Sequence, residues 1–140
     1  MFPHTVTLYI QETRVDPATM AAESLYHITL LRGVLFTHGL GVNAGRPGET
    51  GADEATVYIP FTVDGVGLDG AKKRYVPPDE YAALEDKNRV WTLRPGEDSF
   101  FRKGKARSFE PDRGSGVFAL RRVTERDFGG DMSHWEIGGA

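Results

Sequence analysis

Polar and apolar residues alternate along several stretches of this chain, and the alternation predicts strands. Residues 5–11 (TVTLYIQ) alternate β-branched and aromatic side chains with polar ones, as a half-buried strand does. The same period returns over residues 24–36 (SLYHITLLRGVLF), where Gly33 predicts a bend or a bulge. Residues 55–63 (ATVYIPFTV) form a third predicted strand. Pro60 has no amide hydrogen, which favours an edge position or a bulge there.

The second half of the chain predicts one short helix and more strands. Residues 77–84 begin with two prolines and two acids, a composition typical of the first turn of a helix. Short β-type runs follow at residues 90–93, 98–102, 117–125 and 134–137, separated by glycine-containing pairs. Several short strands at this spacing favour a β-barrel or a β-sandwich.

A long segment between the second and third strands has a different composition. Residues 37–54 contain five glycines, a proline and no apolar cluster. Such a segment buries too little apolar surface to offset the entropy of ordering it, so we expect a flexible loop. The whole chain, residues 1–140, is otherwise expected to form a single domain, because 140 residues hold one core but not two.

Charge and cysteine content narrow the classes of protein. Lys and Arg number 17 against 20 Asp and Glu, so there is no global positive field to hold duplex DNA. The absence of cysteine excludes disulfides, thiolate metal sites and cysteine nucleophiles, and favours the cytosol. No stretch has the pattern of a signal peptide or a membrane span, so we expect a soluble protein without a membrane partner.

The motifs associated with catalysis or cofactors have simpler interpretations. Residues 65–70 match G-x-G-x-x-G, but a lysine- and proline-rich segment follows where a dinucleotide site needs a helix, which favours a hairpin or loop. Asp127, Asp131, His134 and Glu136 are a possible metal cluster, although turn capping by the aspartates and a histidine within a strand are the favoured interpretation. No serine lies in a nucleophile elbow. We expect no enzyme activity, cofactor or metal.

Two groups of residues are candidates for binding. The first is a basic cluster interleaved with phenylalanines, and its members are Arg102, Lys103, Lys105 and Arg107. It is typical of either a DNA-facing or channel-lining surface or a hairpin whose rings face the core while its lysines face water. The second group is Trp91 and Trp135, for which both a core position and an interface position remain open.

Five segments carry a family resemblance: FPHTVTLY, YHITLLRGVLF, GADEATVYIPF, YVPPDEYAALEDKNRVWTLRPGEDSFFRKG and VTERDFGGDMSHWEIGG. In these segments, which cover most of the chain, it resembles a group of small structural proteins of tailed phages and prophages of Gram-positive bacteria. More loosely, it is similar to the head-tail joining proteins, called stopper or head-completion proteins. These are small β-barrels that form rings below the portal and adaptor and close the DNA channel after packaging.

The resemblance implies a fold and a role. The fold would be a small β-barrel with one short helix and a long glycine-rich loop that plugs the channel. The candidate plug residues are Gly41, Asn43, Gly45, Arg46 and Gly48. The role would be that of a ring subunit in the virion neck, assembled in the cytoplasm of the bacterial host. Its partners would be copies of itself, the portal, adaptor and tail proteins, and packaged DNA in the channel.

Three alternatives remain. A tail-completion or minor tail protein would share the fold and differ in its neighbours. A nucleic-acid-binding module would use the basic cluster and its phenylalanines. A metal-dependent enzyme would use His134, Asp127 and Asp131.

Overall fold

The chain folds mainly into strands. The computed structural model describes residues 3–39, 54–96, 98–105, 116–127, 129–130 and 132–140. The strands in this part of the chain are β1 (His4–Val15), β2 (Ala22–Gly39), β3 (Glu54–Pro60), β4 (Asp64–Val66), β5 (Arg74–Tyr75), β6 (Val90–Trp91), β7 (Ser99–Lys103), β8 (Val117–Arg126) and β9 (His134–Gly139). One short helix, α1 (Pro78–Ala83), interrupts them. The predicted mainly β fold with one short helix is confirmed.

Six of the strands pair into a closed ring. The hydrogen-bonded order is β1-β7-β8-β9-β3-β2, and a further pairing of β1 with β2 joins the two ends. All of these pairings are antiparallel. Strand β4 lies outside the ring and pairs with residues 30–32 of β2, while β5 and β6 form a separate parallel pair.

Strands β2 and β8 change partners at bulges. In β2, His4 pairs with Val34 and Thr5 with Arg32, so Gly33 is left without a partner in β1. Gly33 has φ 86°, a conformation that glycine adopts without steric cost. The bulge predicted at Gly33 is confirmed. Strand β8 has a similar register shift between Leu120 and Arg122, where its partner changes from β7 to β9.

Pro60 lies at a locally unpaired edge position, as its missing amide hydrogen predicted. Strand β3 runs between β2 and β9, but its register with β2 ends at Tyr58, so Pro60 has no β2 partner to lose. The predicted bounds of the loop, residues 37–54, were wrong, since residues 37–39 belong to β2 and Glu54 begins β3.

Helix α1 begins and ends where its sequence requires. Pro78 stands in the first turn with Asp79 and Glu80, whose charges favour a helix N-terminus. Leu84 has an extended conformation, φ −79° and ψ 135°, and ends the helix. No helix among the described residues is long and apolar enough to cross a membrane.

The main core receives side chains from every strand of the ring. Alternate residues of β1, namely Val6, Leu8 and Ile10, are at most 2% exposed and point into it. The segment from β5 to the residues just after β6 contributes a further set to the same cluster: Val76, Tyr81, Val90, Trp91 and Leu93. This segment therefore covers one end of the ring, beside the end of β3 and the beginnings of β7 and β9.

A smaller apolar cluster lies on the outer face of the ring. Tyr9, Ile28 and Phe100 are its buried members. Tyr9 and Phe100 alternate with Leu8 and Phe101 of the main core, so the two clusters lie on opposite faces of the same strands. The outer cluster explains why β1 and β7 are apolar over consecutive residues.

Candidate functional site

The antiparallel pairing places the two residues that flank the candidate plug segment at one end of the ring. Strands β1, β3 and β8 begin at this end, and β2, β7 and β9 finish there. We call it the loop end. Gly39 and Glu54 are register partners, so the segment between them starts and finishes at neighbouring points of the loop end. The plug candidates Gly41, Asn43, Gly45, Arg46 and Gly48 lie outside the described residues.

The candidate DNA-facing residues lie at the same end but do not form one stripe. Lys103 ends β7, and its Nζ lies 5.8 Å from the centre of the Phe36 ring in β2. Lys105 is exposed just beyond the strand. Arg102 points to the opposite face, beside Tyr9. Burial of the phenol raises the pKa of Tyr9, and the charge and hydrogen bond of Arg102 oppose that rise. Arg107 lies outside the described residues.

The phenylalanines of this cluster are core residues. Phe100 is 5% exposed and belongs to the outer cluster, while Phe101 is fully buried in the main core. Phe101 stacks on Phe118, with ring centres 5.6 Å apart. Neither ring is therefore available to stack on a base. The third ring, Phe109, lies outside the described residues.

Both tryptophans lie in the main core. Trp91 is 2% exposed and Trp135 is 5% exposed. The two indoles meet edge to face at 5.7 Å, and Tyr75 contacts both at 5.1 and 4.4 Å. The rings thus pack the end of the ring opposite the loop end, and the surface of the single chain exposes almost none of either.

The residues proposed as a metal cluster are held by local hydrogen bonds. Nδ1 of His134 donates to the Met132 carbonyl oxygen at 2.9 Å, and Nε2 lies 3.1 Å from Glu136 Oε1. These two contacts, in that order, raise the pKa of His134. The Ser133 hydroxyl donates to Asp127 at 3.2 Å. Asp131 lies outside the described residues, and elsewhere in the described chain no three His, Asp or Glu side chains converge on a metal position.

The glycine-rich motif forms a tight turn. Gly70 donates its amide to the Gly67 carbonyl oxygen at 3.0 Å, and Gly67 donates to Ala71 at 2.8 Å. Val66 then bridges to Lys72, and the chain continues into β5. A helix N-terminus, which would present amides to a pyrophosphate, does not follow.

A polar cluster that the sequence did not indicate lies under α1. His27 Nε2 contacts Glu12 Oε2, and His27 is only 7% exposed. Lys87 Nζ lies 3.8 Å from the other oxygen of the same carboxylate and 5.5 Å from the centre of the Tyr81 ring. The period-two pattern of β2 places His27 on the same face as Leu31, which is the one signal that could have revealed its burial.

A second unpredicted feature is an open cleft beside β2. It has a volume of about 600 Å³ and lies between the turn at residues 67–71, the connection before β6 and the edge of β2. Lys73 Nζ donates to the Ile28 carbonyl oxygen at 2.7 Å and to Thr29 Oγ1 at 3.2 Å. Burial lowers the pKa of Lys73, and the charge of Asp69 opposes that shift. The ammonium group therefore caps a backbone carbonyl at the point where β4 stops pairing with β2.

Comparison with known proteins places the chain in a family. Neither the curated proteins nor the solved structures contained a match to it. A family model, described as a family of unknown function, matches residues 1–140. Since the match spans the whole chain, the protein belongs to the family of unknown function DUF6751.

Proposed function

We propose that this protein is a non-enzymatic subunit of the head-tail connector of a tailed phage, and that it forms a ring that closes the DNA channel. The proposal begins from the resemblance of its sequence to head-tail joining proteins. The observation that carries it furthest is that the two residues that flank the candidate plug segment, Gly39 and Glu54, lie at the loop end together with two candidate DNA-facing lysines. A fold alone does not determine function, so the argument rests on this placement.

The closed pairing of six strands supports the fold that the proposal requires. We interpret the ring as a small β-barrel, because closure leaves no edge along most of its circumference and a single core fills the interior. A filled barrel has no channel of its own. The DNA channel would therefore lie between copies of the chain, around the axis of the ring that they form.

The loop end supplies the features that such a channel needs. The strands at Gly39 and Glu54 are paired, which fixes both ends of the intervening segment to a rigid sheet. Lys103 and Lys105 lie at the end of a neighbouring part of the ring and are exposed. Positive side chains near a segment that enters the channel would attract the phosphates of packaged DNA.

The nucleic-acid-binding alternative is weaker than the sequence alone suggested. It requires aromatic rings beside the basic side chains, and Phe100 and Phe101 are both buried. Arg102 and Lys103 also point to opposite faces of β7. A tail-completion role remains the principal rival, since it would use the same fold with different neighbours.

The experiment that tests the proposal uses the portal and adaptor proteins encoded in the same gene cluster. The purified chain is mixed with their complex, and the particles are imaged by negative-stain electron microscopy. An added ring below the adaptor is the expected result. Binding to tail proteins alone would assign the chain to tail completion, and binding to neither would overturn the connector role.

A further inference from the structure

The first two strands extend beyond the ring as a two-stranded arm. Strand β7 pairs with residues 6–10 of β1, and one further amide bond joins Gln11 to Asp98. Strand β4 pairs with residues 30–32 of β2. Between these limits, residues 12–15 pair with residues 22–25, and no other described strand pairs with either. We call residues 12–26 the arm.

The direction of the backbone groups shows which residues face the free edges. The amide of Gln11 donates to Asp98 and the Thr5 carbonyl accepts from Gly104, so odd-numbered residues of β1 face away from β2. By this period of two, the backbone groups of Thr13 and Val15 point outward from the arm. In β2 the Ile28 carbonyl accepts from Lys73, so even-numbered residues face away from β1. The outward residues of β2 in the arm are Ala22, Ser24 and Tyr26.

Among the described residues, no further strand, bulge or proline protects residues 12–15 or residues 22–25 against strand pairing. Exposed edges are normally blocked by lysine, proline, a bulge or a covering segment. The outward positions of the arm hold uncharged residues, and the register of the arm has no shift. Among the described lysines, Lys73 binds the Ile28 carbonyl oxygen below the arm, and Lys87 reaches the Glu12 carboxylate at its base. The tip also exposes apolar side chains, since Val15 is 56% and Met20 is 76% exposed.

We propose that the β1 edge of the arm in one copy pairs with the β2 edge of the arm in the next copy, so that copies join head to tail. The two free edges lie on opposite sides of one arm and cover the same length of it, because Val15 pairs with Ala22 at the tip and Glu12 pairs with Leu25 at the base. A contact between the β1 edge of one copy and the β2 edge of the next continues the antiparallel order of the strands. It leaves one β1 edge and one β2 edge free at the two ends of the assembly, where further copies can pair. Contacts of this kind close into a ring where the rotation between successive copies allows it, and build an open filament where it does not.

A symmetric contact between two β2 edges is the main competitor. It would satisfy one edge of each copy and leave both β1 edges unpaired, so it cannot extend beyond a dimer through the arm. The head-to-tail contact satisfies both edges of every copy. This inference rests on the proposed function, because it identifies the contact that would join the subunits of the connector ring.

Cysteine cross-linking tests the inference directly, since the chain has no cysteine of its own. Two single variants, Thr13→Cys and Ser24→Cys, place one thiol on each free edge at exposed positions. Single variants avoid a link within one chain, where Thr13 and Ser24 are partners. Each variant, and an equimolar mixture, is treated with a short bifunctional maleimide, both concentrated alone and bound to the portal and adaptor complex. The products are identified by mass spectrometry.

The head-to-tail contact predicts dimers that contain one Thr13→Cys and one Ser24→Cys chain, at several times the yield of either variant alone. Dimers of Ser24→Cys with itself would establish the symmetric contact and overturn the inference. A lack of any cross-linked dimer would overturn it as well. If the wild-type chain forms a ring on the portal complex without the mixed dimer, the inference fails and the connector role stands. If the mixed dimer forms but the portal complex does not bind the chain, the inference stands and the connector role fails.

A matched pair of substitutions checks the role of the edge amide. Ser24→Pro removes an N–H that points outward, so the hydrogen bonds within the arm persist. Ser24→Ala changes the same side chain and keeps the amide. In these variants the β2-edge thiol is moved to the exposed residue Ala22 as Ala22→Cys, so that position 24 can be changed. Ser24→Pro should reduce the cross-linked dimer of Ala22→Cys with Thr13→Cys at least tenfold, while Ser24→Ala leaves it unchanged. Equal yields from the two variants would show that the edge does not pair through its backbone.

Discussion

Gly139 packs so closely against Ala119 that no side chain fits between them. A Cβ built on Gly139 would lie 3.1 Å from the carbonyl carbon of Ala119 and 2.7 Å from Cε1 of Phe101. This contact lies where β8 changes its partner from β7 to β9. The glycine near the end of the chain therefore permits the bend of β8 that closes the ring.

Gly139→Ala should lower the free energy of unfolding by about 1–3 kcal/mol, because the added methyl group displaces backbone as well as a ring. Urea denaturation monitored by circular dichroism measures this change. Gly130→Ala is the matched control, since a Cβ there meets nothing within 4 Å. Equal stability of the two variants would contradict the close packing at Gly139.

Tyr81→Phe should leave stability unchanged or raise it by up to about 1 kcal/mol. The Tyr81 hydroxyl is buried and has no hydrogen-bond partner among the described residues. A buried polar group without a partner destabilises the fold, so its removal costs nothing. Tyr81→Ala should instead cost about 3–5 kcal/mol, because the ring fills the space under α1. Thermal unfolding of the three proteins measures both effects.

Stability at alkaline pH should also depend on Tyr81. Burial raises its pKa from 10.0 to about 12. Because the pKa is higher in the folded chain, the contribution of the neutral phenol to the free energy of unfolding is fully present below pH 10 and is lost as the pH rises toward 12. The free energy of unfolding of wild type should therefore fall relative to that of Tyr81→Phe over this interval. A difference that does not vary with pH would contradict the burial of the phenol.

His134 should stabilise the fold more at acidic than at alkaline pH. The Met132 carbonyl and Glu136 raise the pKa of His134 above 6.5. The contribution of protonated His134 to the free energy of unfolding is fully present below the unfolded pKa of 6.5 and is lost as the pH rises through the pKa of the folded chain. The stability difference between wild type and His134→Gln should therefore shrink as the pH rises from 5 to 9. NMR titration of His134 in Glu136→Gln, where one of the two stabilising contacts is weakened, should show a lower pKa than in wild type.

Fluorescence should report that both tryptophans are internal. The chain has only two, Trp91 and Trp135, and each is at most 5% exposed. Iodide, a charged quencher confined to water, should therefore quench the folded chain several-fold less than the urea-unfolded chain. Similar quenching of the two states would place at least one indole on the surface and restore the interface alternative.

The strands could be predicted from sequence because period two is a local signal. Residues 5–11 and 24–36 alternate clearly, and Gly33 marked its bulge through the conformational freedom of glycine. Pro60 marked a position without a partner on one side of β3, although its missing amide alone does not show how far the neighbouring strand extends. That depends on β2, which pairs only as far as Tyr58.

The candidate sites were harder to predict, because they depend on contacts between distant residues. The contact of Glu12 with His27 requires the register of β1 and β2, and its neighbour Lys87 comes from a third segment. The sequence grouped Arg102 with Lys103, whereas the strand sends them to opposite faces. The free edges of the arm are likewise invisible in the sequence, since they are defined by where β4 and β7 stop pairing.

The connector role is tested most directly by whether the chain retains DNA inside packaged heads. Heads filled with DNA and carrying portal and adaptor, but lacking this protein, are incubated with or without the purified chain, and nuclease-protected DNA is measured. The account predicts that the wild-type chain raises the protected fraction several-fold and that Ser24→Pro, which blocks the arm edge, does not. Heads that lose their DNA equally with and without the wild-type chain would contradict the proposed function.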